Sequence, residues 1–188
     1  HGLESVVTSP KETTNEYAGD QWYRVSSTTG TVGSTTTRYY GWRRDELFTE
    51  LDKIGDEYHV RAAYLNDGVD RPLWKTRLNV DGSFAGRDFY HADANLRVHH
   101  VSNGSGNVVE KYVYNAYGKR TILDPSNNNE RTSSLIGNRI GFQGREHEDV
   151  ASAEGGAQDA GLTFHRNRFY DPDLGRWMRR DPIGYFGS

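Results

Sequence analysis

The alternation of hydrophobic and polar positions predicts short β-strands separated by glycine-rich and Asx-rich turns. In residues 96–101, Leu96, Val98 and His100 alternate with Arg97, His99 and Val101, the period of two that gives a strand one buried face. Residues 58–65 form a β-type run closed by Asn66-Asp67-Gly68, and residues 108–114 form another closed by Asn115-Ala116-Tyr117-Gly118. Both are entered from glycine turns, Gly55-Asp56 and Gly104-Ser105-Gly106-Asn107, so the unit reads turn, strand, turn. Phe89-Tyr90-His91-Ala92-Asp93 leads into the strand at 96–101, and Tyr112 and Tyr114 share one face. Earlier, 21–25 and 35–42 are β-rich, and SSTTGTVGS between them is expected to be a loop. Residues 1–20 are polar, with little periodicity, and read as a frayed lead-in. The pattern at 45–54 is ambiguous. Leu47, Phe48, Leu51 and Ile54 fit a helical stripe capped by Asp45, yet the same residues also allow a strand.

The run GLTFHRNRFYDPDLGRWMRRDPIGY, residues 161–185, organises the C-terminal part. Phe164, Arg166 and Arg168 fall on one face of an extended segment, with His165, Asn167 and Phe169 on the other. Asp171-Pro172 and Asp181-Pro182 are two rigid corners, because proline fixes its own φ and pushes the preceding aspartate towards extended geometry. Between them Leu174-Gly175-Arg176-Trp177 offers a tight turn followed by a large amphipathic side chain. A strand, a turn and a second short extended piece are expected.

Composition decides whether such a pattern can fold. Hydrophobic residues make up only 34% of the 188, but net charge is -3 and aromatics reach 12%, with 12 tyrosines and 4 tryptophans. Disordered chains are poor in aromatics and strongly charged, so a folded, tyrosine-rich, turn-rich all-β protein is expected. The near-neutral balance leaves no electrostatic footprint for nucleic acid. No apolar run is long enough to span a membrane as a helix. With no cysteine, disulfides and thiol catalysis are excluded. Short strands with internal similarity point to a repeat architecture in which stacking supplies the core. The chain has room for one domain or for a piece of a larger one.

Two stretches carry a family resemblance. YHADANLRVHHVSNGSGNVVEKYVYNAYG, residues 90–118, resembles a tyrosine-aspartate (YD) repeat. Gly141-Phe142-Gln143-Gly144-Arg145, followed by Arg168-Phe169-Tyr170-Asp171-Pro172, Gly175-Arg176-Trp177 and Asp181-Pro182-Ile183-Gly184, resembles the Rhs repeat-associated core domain. The resemblance covers about residues 35–185. In Rhs proteins and the related C subunit of insecticidal toxin complexes, YD repeats spiral into a β-sheet shell around a C-terminal effector. The core domain closes that shell, and an aspartyl autoprotease frees the effector inside it.

The resemblance therefore implies an all-β shell segment with a C-terminal core plug, and it tips residues 45–54 towards strand. It divides the chain into a polar lead-in with the first strand at 1–34, YD-repeat shell at 35–122, a polar loop at 123–140 and the core motif at 141–188. It implies Asp181 as the first of two DPxG aspartates of the autoprotease, the second lying beyond Ser188. Two close carboxylates can share a proton, one ionised and the other protonated, and one alone cannot. Arg168, Tyr170, Asp171, Pro172, Gly175, Arg176, Trp177, Pro182 and Gly184 are the remaining core-motif positions, with Asp171 shaping a turn. Arg179 and Arg180 are either partners for a carboxylate or solvated charges. The implied partners are the chain's own C-terminal effector, the remaining shell repeats and secretion-system or immunity proteins. No cofactor or metal is implied, and the implied setting is a secreted or surface-delivered bacterial protein. The alternative is a YD-repeat adhesion or glycan-binding module without protease activity, as in teneurins.

Other candidates are weaker. Glu146-His147-Glu148-Asp149 has metal-ligand residue types, but consecutive strand positions point in opposite directions. His91 with Asp93, and His99-His100, read as sheet-face histidines. Asn103-Gly104-Ser105 satisfies the glycosylation sequon within a glycine turn. No serine sits in a nucleophile elbow. EDVASAEGGAQDA, after His147, is longer than the family's link and is expected to be a flexible surface loop, and LDPSNNNERTSS at 123–134 reads as another polar loop, consistent with the family's variable connection.

Overall fold

The computed structural model describes residues 12–18, 23–31, 34–43, 45–151, 157–166 and 168–180. They form an all-β protein of two antiparallel sheets. The first contains β1 (Glu12–Ala18), β2 (Tyr23–Thr31), β3 (Ser34–Arg43), β4 (Glu46–Ile54), β5 (Glu57–Asn66), β6 (Pro72–Leu78), β7 (Phe84–Ala92), β8 (Val98–Asn103), β9 (Val108–Tyr114), β10 (Arg120–Leu123) and β11 (Glu130–Arg131). Its spatial order is its sequence order, an uninterrupted meander. The second sheet holds β12 (Glu146–Ala151), β13 (Ala157–His165), β14 (Arg168–Asp171) and β15 (Arg176–Trp177), again in sequence order.

The repeat lies in the turns. Asp67, Asn79, Asp93, Asn103 and Asn115 each donate their backbone N–H to the carbonyl four residues on, at 2.9–3.1 Å. The residue three positions on has positive φ in every case: Asp70 at 61°, Gly82 at 80°, Leu96 at 59°, Gly106 at 83° and Gly118 at 90°. Asp93, Asn103 and Asn115 also accept, through one side-chain oxygen, the N–H groups two and four residues on. An Asx side chain thus replaces strand hydrogen bonds where the chain reverses, and a left-handed residue sets the next strand's register.

Several elements differ from the sequence expectation. The Ser/Thr/Gly stretch is mostly strand: β2 runs to Thr31 and β3 begins at Ser34, with Thr28 opposite Thr37. The polar lead-in contains β1. Residues 46–54, by contrast, are the strand that the resemblance implied, with Leu47 7% and Phe48 46% exposed, the alternation that a helical stripe would not give. The supposed loop after His147 is largely β12 and β13, with Ala151 opposite Ala157. Phe164, Arg166 and Arg168 do not share one extended segment. The chain reverses at Arg166, where φ is 57°, so Phe164 faces Phe169 across a hairpin.

The core is the inner face of the larger sheet. Tyr40 lies opposite Glu50, and Glu50 opposite Ala62. Tyr64 lies opposite Lys75, and Lys75 opposite Asp88. Tyr90, Val101 and Glu110 continue the sequence, with Tyr112 opposite Ile122 beyond. All of these are buried. Tyrosines and charged groups therefore fill places that aliphatic residues hold in most sheets, and each buried charge requires a partner.

Candidate functional site

Glu50 and Asp88 are partnered within the sheet by Arg38 and Arg77, whereas Glu110, Lys75 and Arg120 find partners in one segment. Residues 134–148 run as a strap across the inner face, from over β9 to β12, and buried side chains grip its backbone. Glu110, with no solvent exposure, accepts hydrogen bonds from the N–H groups of Leu135 and Ile136, the latter at 3.4 Å. It also accepts from the hydroxyls of Ser134 at 2.8 Å and Tyr112 at 2.6 Å. Lys75, 3% exposed, donates to the carbonyls of Ile136 at 3.0 Å and Gly137 at 3.3 Å. Burial lowers its pKa, opposed by Glu50 and Asp88. Arg120 donates to the Asn138 carbonyl at 3.2 Å. Asn138 in turn donates to the Tyr112 hydroxyl at 3.0 Å and bonds both backbone groups of Ile140.

The strap then meets the smaller sheet. Burial opposes the charge on Arg139, but Tyr40, Glu148, Glu146 and Glu50 outweigh it and raise its pKa. Its guanidinium donates to the Tyr40 hydroxyl, lies 4.9 Å from that ring's centroid and reaches Glu148 at 3.3 Å and Glu146 at 3.5 Å. For Glu50, burial opposes ionisation, while Lys75, Arg38 and Arg139 more than offset it and lower the pKa. His147 is fully buried, and its pKa lies well below the ordinary histidine range because of burial, Arg120 and His165. It is therefore neutral, and its Nε2 accepts the Phe142 N–H at 3.1 Å. Gly141 is required here, since a Cβ would come within 2.5 Å of that Nε2.

A second joint closes on Asp70. Its carboxylate pairs with Arg145 at 2.9 Å and Arg166 at 2.8 Å, each from a different turn. Burial raises the Asp70 pKa against the pull of both arginines. Asp70, Gly144 and Arg166 all have positive φ, and a Cβ on Gly144 would lie 1.8 Å from the Asp70 carbonyl oxygen.

The core-motif residues are brought together in the small sheet. Arg168 lies 4.0 Å from the Trp177 ring centroid, and His165 and Tyr170 meet the same ring edge-on at 4.9 and 5.4 Å. Asp171 lies opposite Arg176 and accepts the N–H groups of Asp173 and Leu174 at 2.9 and 3.1 Å, which shapes the turn. Pro172 is buried. Gly175, at φ 62°, sits against Tyr117, and Asp173 pairs with Lys119 at 2.8 Å. The small sheet's turn thus docks on an Asx turn of the large sheet. Arg179 and Arg180 are exposed at the end of this unit, and Asp181, Pro182 and Gly184 lie outside the described residues.

The remaining candidates separate. Glu146 and Glu148 point to Arg139, whereas His147 bonds Phe142. Among the described residues no group of three or more His, Asp or Glu side chains is arranged to hold a metal ion. His91 and His100 stack at 4.3 Å, and Asp93 pairs with Arg97 and His99. The grip of Glu110 and Lys75 on the strap was not anticipated. The available signal was a charge at an inward strand position, Glu110 being two residues from the inward Tyr112.

Among the described residues, then, the protein is an antiparallel all-β sheet with its inner face plugged by its own strap and a small core sheet. That fold is similar to part of a chain in the TcdB2-TccC3 crystal structure, with TM-score 0.62, 15% identity and 92% of this chain covered. It is similarly related to the Photorhabdus luminescens Tc holotoxin pore carrying a mutated TccC3, at TM-score 0.62 and 14% identity over 92% of the chain. The TcdB2-TccC3-TEV crystal structure gives 0.61 and 13% over 97%. In each, the chain spans only 8% of the length of the chain it matches. No family model and no curated protein sequence matches it. No helix among the described residues is long and apolar enough to cross a membrane.

Proposed function

We propose that this chain is a segment of a bacterial toxin shell that encloses a variable C-terminal effector, and that its core motif positions autoproteolytic release. The observation that carries this reading is the strap held across the inner face of a repeat-built sheet. A wall that encloses a guest needs its inner face fixed by the wall's own chain, with the terminal unit docked rather than loose. The fold likeness to part of the Tc toxin structures supports the same assignment. In this reading 35–122 supply shell, 141–188 supply the core, and the effector and further shell repeats are the partners. Asp181 supplies one carboxylate of the release site, and the second comes from sequence following the chain. Against a glycan platform at Trp177 stands Arg168, whose guanidinium lies 4.0 Å from that ring's centroid.

The test uses the longer protein, this chain with the sequence that follows it through a second DPxG, comparing wild type with Asp181→Asn by intact mass and limited proteolysis. Cleavage after that motif in wild type alone, with the released segment remaining protease-resistant in the particle, is expected. Equal masses in both, from folded protein, would overturn the autoprotease role. A C-terminal segment that proteases degrade freely would overturn enclosure.

A further inference from the structure

We infer that the part of the inner face left uncovered by the strap is an oxyanion-binding site. Beside the strap, at Ile136 and Gly137, lies a half-open cavity of about 240 Å³. Four cationic side chains line it, Arg38, Arg61, Lys75 and Arg77, and one carboxylate, Glu50. Two more carboxylates stand behind the arginines: Asp52, beside Arg38 and Arg61, and Asp88, beside Arg77 and Lys75. Four positive charges thus meet three negative ones.

The unspent donors decide which groups face a ligand. Arg38 is committed to Asp52, at 2.9 and 3.3 Å, and to Glu50, at 3.1 Å. Lys75 is committed to the strap carbonyls. Arg77 gives only its Nε, to Asp88 at 2.8 Å, and Arg61 approaches Asp52 only at 3.6 Å. The terminal nitrogens of Arg61 and Arg77 have no hydrogen-bond partner among the described residues. Gly86 makes space for one of them, since a Cβ there would lie 2.8 Å from Arg77 Nη2. A guanidinium presents parallel N–H groups that match the oxygens of a phosphate, sulfate or carboxylate. Two such forks at one cavity, with a surplus positive charge, Asp52 and Asp88 held behind them and Glu50 paired with Arg38, select an oxyanion over a cation or a neutral ligand.

Phosphate and carboxylate share this chemistry, and separate titrations distinguish them. The 188-residue chain is titrated with inorganic phosphate, and separately with succinate, at constant ionic strength balanced by chloride. The arginine Nε–Hε resonances and the melting temperature are followed. Saturable shifts at Arg61 and Arg77, and a rise in melting temperature beyond that in chloride, are expected. Preference for phosphate identifies a phosphorylated or inorganic ligand, and preference for succinate identifies acidic side chains of a polypeptide. Arg61→Gln is the primary variant, because Arg61 makes no short hydrogen bond whose loss would disturb the fold. It is expected to weaken binding about tenfold, about 1.4 kcal/mol. Arg77→Gln is expected to do the same wherever it folds. Arg87→Gln, on an exposed arginine above the Trp74 ring, leaves the affinity unchanged. Shifts that follow ionic strength alone, or equal affinity in Arg61→Gln, would overturn the site.

Discussion

Lys75 and Glu110 hold the same residue from opposite sides. The Lys75 ammonium donates to the Ile136 carbonyl at 3.0 Å, and the Glu110 carboxylate accepts the Ile136 N–H at 3.4 Å. The two sit on β6 and β9, with two strands between them. One backbone residue of the strap is thereby clamped to a span of four strands by two charge-to-backbone grips. Such bonds are individually stronger than neutral ones, and removing one side strands buried polar groups on the other.

Glu110→Ala should therefore cost about 3 kcal/mol, since it leaves the N–H groups of Leu135 and Ile136 and the Ser134 hydroxyl without their acceptor. Glu110→Gln keeps one acceptor oxygen and should cost roughly half as much. Urea unfolding measures both. A loss below about 0.5 kcal/mol for the alanine variant, the range of an ordinary surface change, would mean that the strap is not held through Glu110.

The Asx turns and the strands at 58–65 and 108–114 were legible because their signals are local. Asn115 and Gly118 lie within one turn and satisfy each other's geometry. The strap was not legible, because its partners are remote: Leu135 reaches Glu110 across 25 positions, and Ile136 reaches Lys75 across 61. Polar composition there reads as loop when the polarity is in fact satisfied inside. The same error hid the second half of β2, whose Ser/Thr run offers no apolar alternation yet pairs through its backbone. It also hid β12 and the start of β13, which pair in antiparallel fashion although Ala151 and Ala157 lie in Ala/Gly-rich sequence. The motif residues from Arg168 to Trp177 are adjacent in sequence, but their arrangement around Trp177 required the reversal at Arg166, which no glycine marks.

Gly144→Ala and Gly137→Ala separate two costs of replacing a glycine. Both glycines have φ near +60°, so each substitution incurs about 1 kcal/mol of backbone strain. At Gly137 the added methyl meets open space, whereas at Gly144 it would lie 1.8 Å from the Asp70 carbonyl oxygen, which must move. The Gly144 variant should lose at least about 2 kcal/mol more, read as a drop in denaturation midpoint. Equal losses would show that the Asp70 joint yields freely.

Acid should destabilise the fold through histidine before carboxylates protonate. Burial, with Arg145, Arg166 and Arg168 nearby, lowers the His165 pKa from 6.5 to about 4. His147 is also lowered, for the reasons given above. A base with a depressed folded pKa binds protons more readily when unfolded. The stability associated with its neutral form is complete above pH about 6.5 and is lost as pH falls through the window towards 4. Unfolding free energy should thus rise with pH between about 4 and 6.5, and His165→Asn should reduce the protons taken up on unfolding at pH 5 by about one. An unchanged slope in that variant would show that His165 titrates normally in the folded chain.

Asp70 joins Arg145 and Arg166, and so couples the β5–β6 turn to the strap's end and to the β13–β14 hairpin. Burial works against its charge while both arginines work for it, so the carboxylate has value only while its partners remain. Asp70→Asn and Arg166→Gln should each destabilise the protein, and the double variant should lose less than their sum by about 1–2 kcal/mol. Hydrogen exchange locates the effect. Amides of β13 and β14 should lose protection in either single variant, while β8 and β9, held by Val98, Val101 and Glu110, keep theirs. If both regions loosen together, the two sheets unfold as one unit and the joint is ordinary packing. If only the hairpin opens, the core sheet is a separable flap latched at Asp70, and the large sheet stands without it.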